Sequence, residues 1–394
     1  MHRDLSLSAL VAGLMAVLVS YSGPMAIFFQ AAQSADVSSE MMASWLWAVS
    51  IGAAITSIGL STWLKIPVVT AWSAPGTVLL VTLFPELSLN EAVGAYITAA
   101  LILLLIGITG LLDLVVRLIP RNVAAAMMAG ILFSFGLKAF HSLQETPLVT
   151  VLMVLGWVLF KHLSRGYFLV MMTVLGFVLS LTLMDANLNQ MRLELATPQW
   201  ITPAWSWSST LSLALPLVIV SLTGQFLPGF AILKTAGYQF PSRPIVCVLS
   251  LVSVPMAFFG GITTVIAAIT ASICTSEDAH PDPDKRYIAG VANGFFYLVG
   301  GIFAGSIVLF FHSFPATMIA IMAGLALLGA ISTSLTTALA DKQHLDAALV
   351  TFMTTTSGLT LWGIGSAFWG VVMGTAVYAL SNYLHQHNPH TPKT

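Results

Sequence analysis

The chain has 394 residues, of which 57% are hydrophobic and only 7% are charged, and its formal net charge is −1. So few charges cannot cover the surface of a water-soluble fold, and the absence of a basic block gives no reason to expect a nucleic-acid partner. The charges form short clusters between long uncharged stretches, such as residues 5–35, 41–64 and 287–340. Because a helix of about 20 apolar residues crosses a bilayer, this pattern predicts a membrane protein with many spans.

We predict an all-α polytopic fold with fourteen transmembrane segments. In chain order they are placed at residues 8–30, 41–63, 66–83, 92–114, 122–140, 147–161, 167–184, 210–232, 244–261, 263–276, 287–311, 315–339, 345–362 and 364–384. With the N-terminus inside, twelve of the 14 basic residues lie at cytoplasmic segment ends, and only Lys138 and Arg192 lie outside. The positive-inside rule therefore predicts that both termini are cytoplasmic.

The segments are predicted to form two repeats of seven, residues 1–184 and 210–394, joined by a Trp- and Pro-rich connector at 185–209. The connector is expected at the outer membrane surface, as an anchoring linker or as a lid. Three weak self-matches support a repeat. Gly110 and Pro120 match Gly305 and Pro315 at an offset of 195 residues. Met128–Gly130 matches Met322–Gly324 at 194, and Ser20–Gly23 matches Ser221–Gly224 at 201. An odd number of segments inverts the second repeat, as in transporters whose site lies near the midplane. The alternative is that the glycines only serve close helix packing.

Segments 3 and 10 are each predicted to be broken into a short strand and a half-helix. In segment 3 an extended start is followed by Ser73 and Pro75, which signal a helix start, and then by Gly76. In segment 10 two glycines and then Thr263 and Thr264 precede a helix-forming stretch. A helix that begins inside the bilayer exposes backbone N–H groups, which are tolerated where they line a cavity or meet a ligand. Such helix ends favour an anionic group, for example a carboxylate.

Polar residues in segments 1 and 8 extend the predicted substrate site, because polar side chains inside a bilayer are costly and often functional. The predicted substrate-binding residues are Tyr21, Ser22, Trp72, Ser73, Gly76, Gln225, Thr263 and Thr264. Tyr21 and Trp72 are expected to contact an aromatic ring, and Gln225 a polar group of the substrate. The alternatives are an interhelical hydrogen bond for Gln225 and simple packing for Tyr21 and Trp72.

The sequence has no pattern that indicates a catalytic centre, a cofactor or a metal site. The histidines are scattered at segment ends and in the C-terminal tail, and no nucleophile motif, phosphate loop or pair of mid-segment carboxylates is present. The two cysteines lie in or near apolar segments, which argues against a disulfide framework. We therefore predict a transporter rather than an enzyme.

Three stretches resemble the benzoate:proton symporter (BenE) family of bacterial inner membranes: Val69–Gly76, Ala267–Cys274 with Ala279–Pro281, and Ser357–Gly370. The resemblance runs over nearly the whole chain. It implies a 7+7 inverted-repeat fold similar to uracil permeases and sulfate-transporter relatives, with segments 1–4 and 8–11 as core and segments 5–7 and 12–14 as gate. It also implies uptake of benzoate or a similar aromatic acid with a proton, and it is consistent with a homodimer.

The chain departs from the uracil-permease pattern of carboxylates in segments 8 and 10. The corresponding positions here resemble Gln225 and the stretch Ile262–Thr264. Losing acids suits an anionic substrate, since like charges repel, but it also removes the obvious proton carrier. A nucleobase or inorganic-anion transporter on the same fold, or a channel, remains an alternative.

Overall fold

The computed structural model describes residues 5–84, 86–112, 114, 119–164, 166–184, 186, 189 and 191–387. The first half of the chain forms α1 (Leu7–Ser34), α2 (Ser39–Leu64), β1 (Thr70–Trp72), α3 (Ala74–Leu83), α4 (Leu89–Thr109), α5 (Arg121–His141), α6 (Pro147–Leu163) and α7 (Phe168–Leu183). The second half forms α8 (Trp207–Thr235), α9 (Ser242–Ala257), β2 (Thr264–Ile266), α10 (Ala268–Thr275), α11 (Tyr287–Ile302), α12 (Ala304–His312), α13 (Ala316–Ala338), α14 (Leu345–Thr356), β3 (Thr360–Leu361), β4 (Ile364–Gly365) and α15 (Ser366–His387).

Six of the described helices are long and apolar enough to cross a membrane: α1, α2, α4, α5, α8 and α13. The pair α11–α12 is bent by 71°, and counting it as one broken span gives seven. Shorter apolar helices, among them α3, α6, α7 and α9, pack between the long ones. The chain is therefore a multi-pass helical membrane protein, as the composition predicts.

Local sequence signals explain where several helices begin and end. Ser38 caps α2 by accepting a hydrogen bond from the Met41 N–H (3.2 Å), and Ser88 forms a capping box with Glu91 at the start of α4. Gly110 ends α4 in the left-handed conformation (φ 71°), which glycine adopts without steric cost. The remainder of the predicted span 92–114 lies partly outside the described residues.

Helix α8 contains two π-helical stretches, Thr210–Ala214 and Leu222–Phe226. Each is followed two residues later by a proline, Pro216 or Pro228. A proline ring inside a helix clashes with the carbonyl one turn earlier, and a wider turn relieves that clash.

The last two predicted segments run past the ends of the helices they contain. Segments 345–362 and 364–384 extend into a β-hairpin, because α14 ends at Thr356 and α15 begins only at Ser366. The hairpin turns at Trp362 and Gly363, both with positive φ (56° and 73°), the combination of a two-residue type I′ turn. Its residues are mostly apolar, so hydropathy alone does not separate them from the helices.

The predicted segment 287–311 is not a single straight helix, because the chain bends at Phe303 between α11 and α12. The connector occupies the break: the Ser306 N–H donates to the Glu194 carbonyl (3.1 Å), and the Ala196 N–H donates to the Ile302 carbonyl (2.9 Å). These bonds pair backbone groups that the interrupted helix leaves free.

The connector also joins two other helix ends. The Ile201 N–H donates to the Phe258 carbonyl after α9 (2.7 Å), and the Ala204 N–H donates to the Asn90 carbonyl in α4 (2.9 Å). Its described residues thus lie across one end of the molecule, which we call the connector end.

Helix contacts separate into two sets. In one set α11 packs along α1 and α2, α9 packs along α4, and α1 contacts α3 and α10. In the other, α5 packs along α13 and α14, α14 packs against α15, and α6 packs against α7. Contacts of α1 with α7 and α13 join the two sets.

Candidate substrate site

The centre of the candidate site is a two-stranded antiparallel ribbon formed by β1 and β2. Trp72 lies opposite Thr264 and Thr70 lies opposite Ile266. The pairing extends by one bond at each end, from the Ser73 N–H to the Thr263 carbonyl and from the Ala267 N–H to the Val69 carbonyl (both 3.0 Å). A helix begins directly after each strand, so the positive ends of the dipoles of α3 and α10 both lie at the ribbon.

The first turn of α3 is capped by the residue that precedes it, Ser73. The Ser73 side chain is fully buried and its Oγ accepts a hydrogen bond from the Gly76 N–H (3.2 Å), while the Ser73 carbonyl accepts from the Thr77 N–H and hydroxyl (2.9 and 3.1 Å). Gly76 is a site of close approach, since a Cβ there would lie 2.4 Å from Leu217 and 2.9 Å from Ile262. Ser73 and Gly76 therefore fix how α3 leaves the ribbon and packs on α8.

The first turn of α10, in contrast, has no side-chain cap. The residue at its N-cap position is Ala267, whose side chain cannot accept a hydrogen bond, and its carbonyl accepts from the Ala271 N–H (2.8 Å). The N–H groups of the first helical turn thus have no side-chain cap. Such a buried helix start is able to bind an anionic group.

An aromatic cluster covers the Trp72 side of the ribbon. Tyr21 of α1 stacks on Trp72 with ring centroids 5.9 Å apart, and Tyr297 of α11 meets both rings edge-on at 5.5 and 6.2 Å. Phe28 meets Trp72 at 6.2 Å, and the Tyr21 hydroxyl is bonded to Ser50 of α2 (2.6 Å). Stacked and edge-to-face rings of this kind form a surface that suits another aromatic ring.

Three buried polar groups of the ribbon have no hydrogen-bond partner among the described residues: Trp72 Nε1, Thr263 Oγ1 and Thr264 Oγ1. Their residues are 1–3% exposed. Leaving a buried donor or acceptor unpaired costs about 1–3 kcal/mol, so native proteins rarely do so without a reason. A polar ligand at the ribbon would satisfy them.

Ser22 and Gln225 lie apart from this group. The Ser22 hydroxyl donates to the Leu18 carbonyl of its own helix (2.6 Å). Gln225 is half-buried in the second π-helical stretch of α8, which packs against β2, and none of the described residues forms a hydrogen bond with its amide. The structure thus joins Tyr21 with Trp72 by ring stacking, Trp72 with Thr264 by strand pairing, and Ser73 with Gly76 and Thr263 by hydrogen bonds. It shows no hydrogen bond from Ser22 or Gln225 to these residues.

Sequence reasoning missed Tyr297, Ser50 and Ser253. Tyr297 is fully buried in the aromatic cluster, Ser50 holds the Tyr21 hydroxyl, and Ser253 Oγ accepts from the Thr264 N–H (2.9 Å). Tyr297 is a tyrosine in the middle of an uncharged run, which is a usable signal. The two serines give none, because similar serines occur throughout the chain.

A second polar network lies behind β1. The Thr70 hydroxyl is bonded to the hydroxyls of Thr56 (2.7 Å) and Ser57 (2.8 Å) in α2, and the Asn293 amide of α11 donates to Ser57 (3.0 Å). All four residues are fully buried. The network therefore ties β1 to the two helices that support it, and it contains no ionisable group.

The described residues contain no group of three or more His, Cys, Asp or Glu side chains that could hold a metal ion. The ribbon and its aromatic neighbours are likewise built from uncharged side chains. The groups available to a ligand at this site are backbone N–H groups, hydroxyls, an indole N–H and aromatic ring faces. This combination can bind a small molecule with one anionic end and one aromatic ring.

Comparison with known proteins decides the family. Residues 3–380 match the BenE family, which is described as "Benzoate membrane transport protein". The chain belongs to the BenE family. It is accordingly a membrane transport protein and not an enzyme.

Two curated relatives match almost the full chain. The "Benzoate membrane transport protein" of Acinetobacter baylyi is 54% identical over 378 residues, covering 96% of both chains. The "Inner membrane protein YdcO" of Escherichia coli is 40% identical over 379 residues, covering 96% of this chain and 97% of the relative. Among solved structures, SLC26A9 is similar with a TM-score of 0.69 at 14% identity, covering 99% of this chain and 67% of that one. This BenE-family chain therefore shares the SLC26 transporter fold.

Proposed function

We propose that this protein imports benzoate or a similar aromatic carboxylate across the bacterial inner membrane, together with a proton, by alternating access. The observations that carry the proposal are the uncapped start of α10 at one end of the ribbon and the unpartnered groups of Trp72, Thr263 and Thr264 toward its other end. The names of the two relatives support the substrate and the location, since one is a benzoate transport protein and the other an inner membrane protein. Secondary transporters of this kind need no cofactor.

In the proposed complex the carboxylate lies at the first turn of α10. Backbone N–H groups of that turn donate hydrogen bonds to it, which compensates the charge without a lysine or arginine. Thr263 and Thr264 line the site from the other end of the ribbon, where Thr263 pairs with Ser73. The ring lies against Tyr21, Trp72 and Tyr297. Ser73 and Gly76 hold α3 in place, and Gln225 and Ser22 border the site from α8 and α1.

For the topology we propose fourteen spans in two inverted repeats of seven, with both termini in the cytoplasm. Each predicted segment overlaps one helix, one strand–helix pair or the bent pair α11–α12, which supports this count. The antiparallel pairing of β1 with β2 supports the inversion, because spans 3 and 10 then run in opposite directions. The matched Pro120 and Pro315 also occupy the same position, the N-cap of α5 and of α13. We also propose that the protein forms a homodimer, as the family resemblance suggests.

We propose that the two sets of helix contacts are the moving bodies. The set built on α1, α2, α3, α4 and α8 to α12 corresponds to the core, and α5, α6, α7, α13, α14 and α15 form the gate. The core would carry the substrate past the gate by a rocking motion. The proton would travel on the substrate carboxyl or through water, since the ribbon has no acidic side chain of its own.

The test is uptake of radiolabelled benzoate into proteoliposomes, with and without an inward proton gradient. We expect saturable uptake that exceeds the outside concentration only when the gradient is imposed. Protein-free liposomes and a proton ionophore are the controls. Uptake that never exceeds the outside concentration would indicate a channel, and displacement of a bound ligand by uracil or sulfate but not by benzoate would assign another substrate.

A further inference from the structure

Two adjacent glycines of α11, Gly300 and Gly301, lie beside the aromatic cluster. They follow Tyr297 by three and four residues, so all three residues face the same side of the helix. A Cβ atom at Gly300 would lie 2.5 Å from Tyr21 Oη and 2.6 Å from Tyr21 Cε2. Because carbon atoms in contact are normally about 3.5–4.0 Å apart, Tyr21 occupies space that a side chain at position 300 would need.

The hydroxyl end of Tyr21 is also held by α2. The Tyr21 hydroxyl is hydrogen-bonded to Ser50 (2.6 Å), which is fully buried. Gly301 allows α11 to approach this serine, since a Cβ there would lie 3.1 Å from Ser50 Cβ and 3.2 Å from Ile51 Cδ1. The end of the Tyr21 ring is thus fixed by contacts with two helices, α2 and α11.

Tyr21 is the accessible ring of the aromatic cluster. Trp72, Tyr297 and Phe28 are at most 3% exposed, whereas Tyr21 is partly exposed. A ligand can therefore touch Tyr21 without first displacing a buried ring. If the Tyr21 ring is pushed away from α11, it can move only into the space that it now leaves open, because its other sides are closely packed.

Another glycine of the same helix has different neighbours. A Cβ at Gly294 would lie 2.6 Å from Ile58 Cγ1 and 2.8 Å from the Ala54 carbonyl oxygen, both in α2 and outside the aromatic cluster. Gly294 therefore serves the close packing of α11 on α2. At Gly300, in contrast, the three nearest atoms all belong to the side chain of Tyr21.

We propose that Gly300 is a positioning residue that determines substrate specificity through Tyr21. By leaving room for the Tyr21 hydroxyl, Gly300 fixes how far this ring extends into the space open to a ligand. It thereby limits the size of the ring substituents that an aromatic carboxylate can carry. The role assigned to Gly300 rests on the proposed function, in which the substrate ring contacts Tyr21.

The test compares Gly300→Ala with Tyr21→Leu and with the double variant. Leucine lacks the three Tyr21 atoms nearest to position 300, so it removes the clash. Proteoliposome uptake of labelled benzoate gives KM, and inhibition of that uptake by 4-methylbenzoate gives Ki. Thermal denaturation in detergent shows whether each variant is folded.

Two other glycine-to-alanine changes are the controls. Gly294→Ala changes the packing glycine of the same helix, so it should lower thermal stability and leave the ratio of Ki to KM unchanged. Gly329→Ala adds a methyl group in α13 at a position where no atom lies within 4 Å, and it should behave as wild type.

We expect Gly300→Ala to raise the ratio of Ki for 4-methylbenzoate to KM for benzoate by about tenfold or more, because the displaced ring narrows the site and one extra carbon in an apolar pocket changes recognition by about 10–200-fold. Tyr21→Leu widens the site and should lower the ratio. In the Tyr21→Leu background, Gly300→Ala should change the ratio by less than about twofold, the non-additivity expected when one residue acts through another.

An unchanged ratio in a folded Gly300→Ala variant would overturn the role of Gly300, and so would an equally large change in the Tyr21→Leu background. If Gly300→Ala does not fold, the double variant decides: it should fold and transport, and its failure to fold would show that Gly300 serves helix packing alone.

The proposed function fails separately. A wild-type protein that takes up no benzoate would remove the proposed function, and the role of Gly300 with it. Wild-type uptake together with unchanged selectivity in Gly300→Ala would remove the role of Gly300 alone.

Discussion

The two strand–helix segments at the ribbon have the same architecture but are held at opposite ends. Helix α3 is secured at its start, where Ser73 caps the first turn, whereas α10 has Ala267 there and no side-chain cap. At its other end α10 is secured by Arg286, a buried residue whose guanidinium donates to the carbonyls of Thr275 (2.8 Å) and His280 (2.7 Å).

The difference indicates a division of roles. A helix that is capped at its start has used the N–H groups that would bind an anion, so α3 serves as a support. Helix α10 keeps those groups free and is positioned from behind by a positive charge near its C-terminus, where the helix dipole favours one. The ligand end of the ribbon is therefore expected at α10.

Replacing Arg286 should have the largest effect. Arg286→Ala removes charge-assisted hydrogen bonds to buried carbonyls, and we expect a loss of about 2–3 kcal/mol in the free energy of unfolding. Transport should fall more than tenfold, because α10 is no longer held in place. Thermal denaturation in detergent and benzoate uptake measure the two effects.

Arg286→Lys is the matched control, since it keeps the charge but not the planar group that reaches both carbonyls. We expect it to recover only part of the lost stability. Normal uptake by Arg286→Ala would show that α10 needs no support from its C-terminal end.

Ala267→Ser should have the next largest effect, with opposite signs for stability and binding. A serine at the N-cap accepts a hydrogen bond from an N–H of the first turn, so we expect about 1 kcal/mol of added stability. The same bond competes with the substrate, so KM for benzoate should rise about fivefold. Ala268→Ser adds the same hydroxyl one residue later, beyond the N-cap position, and should leave KM unchanged. Greater stability with an unaltered KM would mean that α10 does not hold the carboxylate.

Ser73→Ala should have the smallest effect on transport. It removes the cap of α3 and should lower the free energy of unfolding by about 1 kcal/mol, while KM stays within twofold. Ser73→Thr keeps a capping hydroxyl and should retain most of the stability. A rise in KM as large as that of Ala267→Ser would place Ser73 in contact with the substrate and end the contrast between the two helices.

The helical membrane fold could be predicted because long apolar runs and sparse charges are properties of the chain itself. The family could be predicted as well, from motifs that include Val69–Gly76. Tyr21 and Trp72 were both predicted to contact an aromatic ring because they are aromatic residues within apolar segments. In the structure their own rings stack on each other.

Features that depend on contacts between distant segments could not be predicted. Tyr297 joins the aromatic cluster only because α11 packs along α1, and the bend at Phe303 depends on bonds to the connector. The β3–β4 hairpin could not be predicted for a different reason: its residues are as apolar as the helices that flank it. The substrate-binding roles of all eight predicted residues, Ser22 and Gln225 included, stay predictions.

The π-helical stretches of α8 affect how this helix can change in evolution. Each wide turn holds one residue more than a regular turn, and a residue corresponds to about 100° of rotation around a helix. A deletion within Leu222–Phe226 could therefore be absorbed by forming a regular helix, at the cost of turning every side chain before it by that angle relative to those after it. Helix α8 can lose a residue without breaking, and the face it presents to the ribbon would change in a single step.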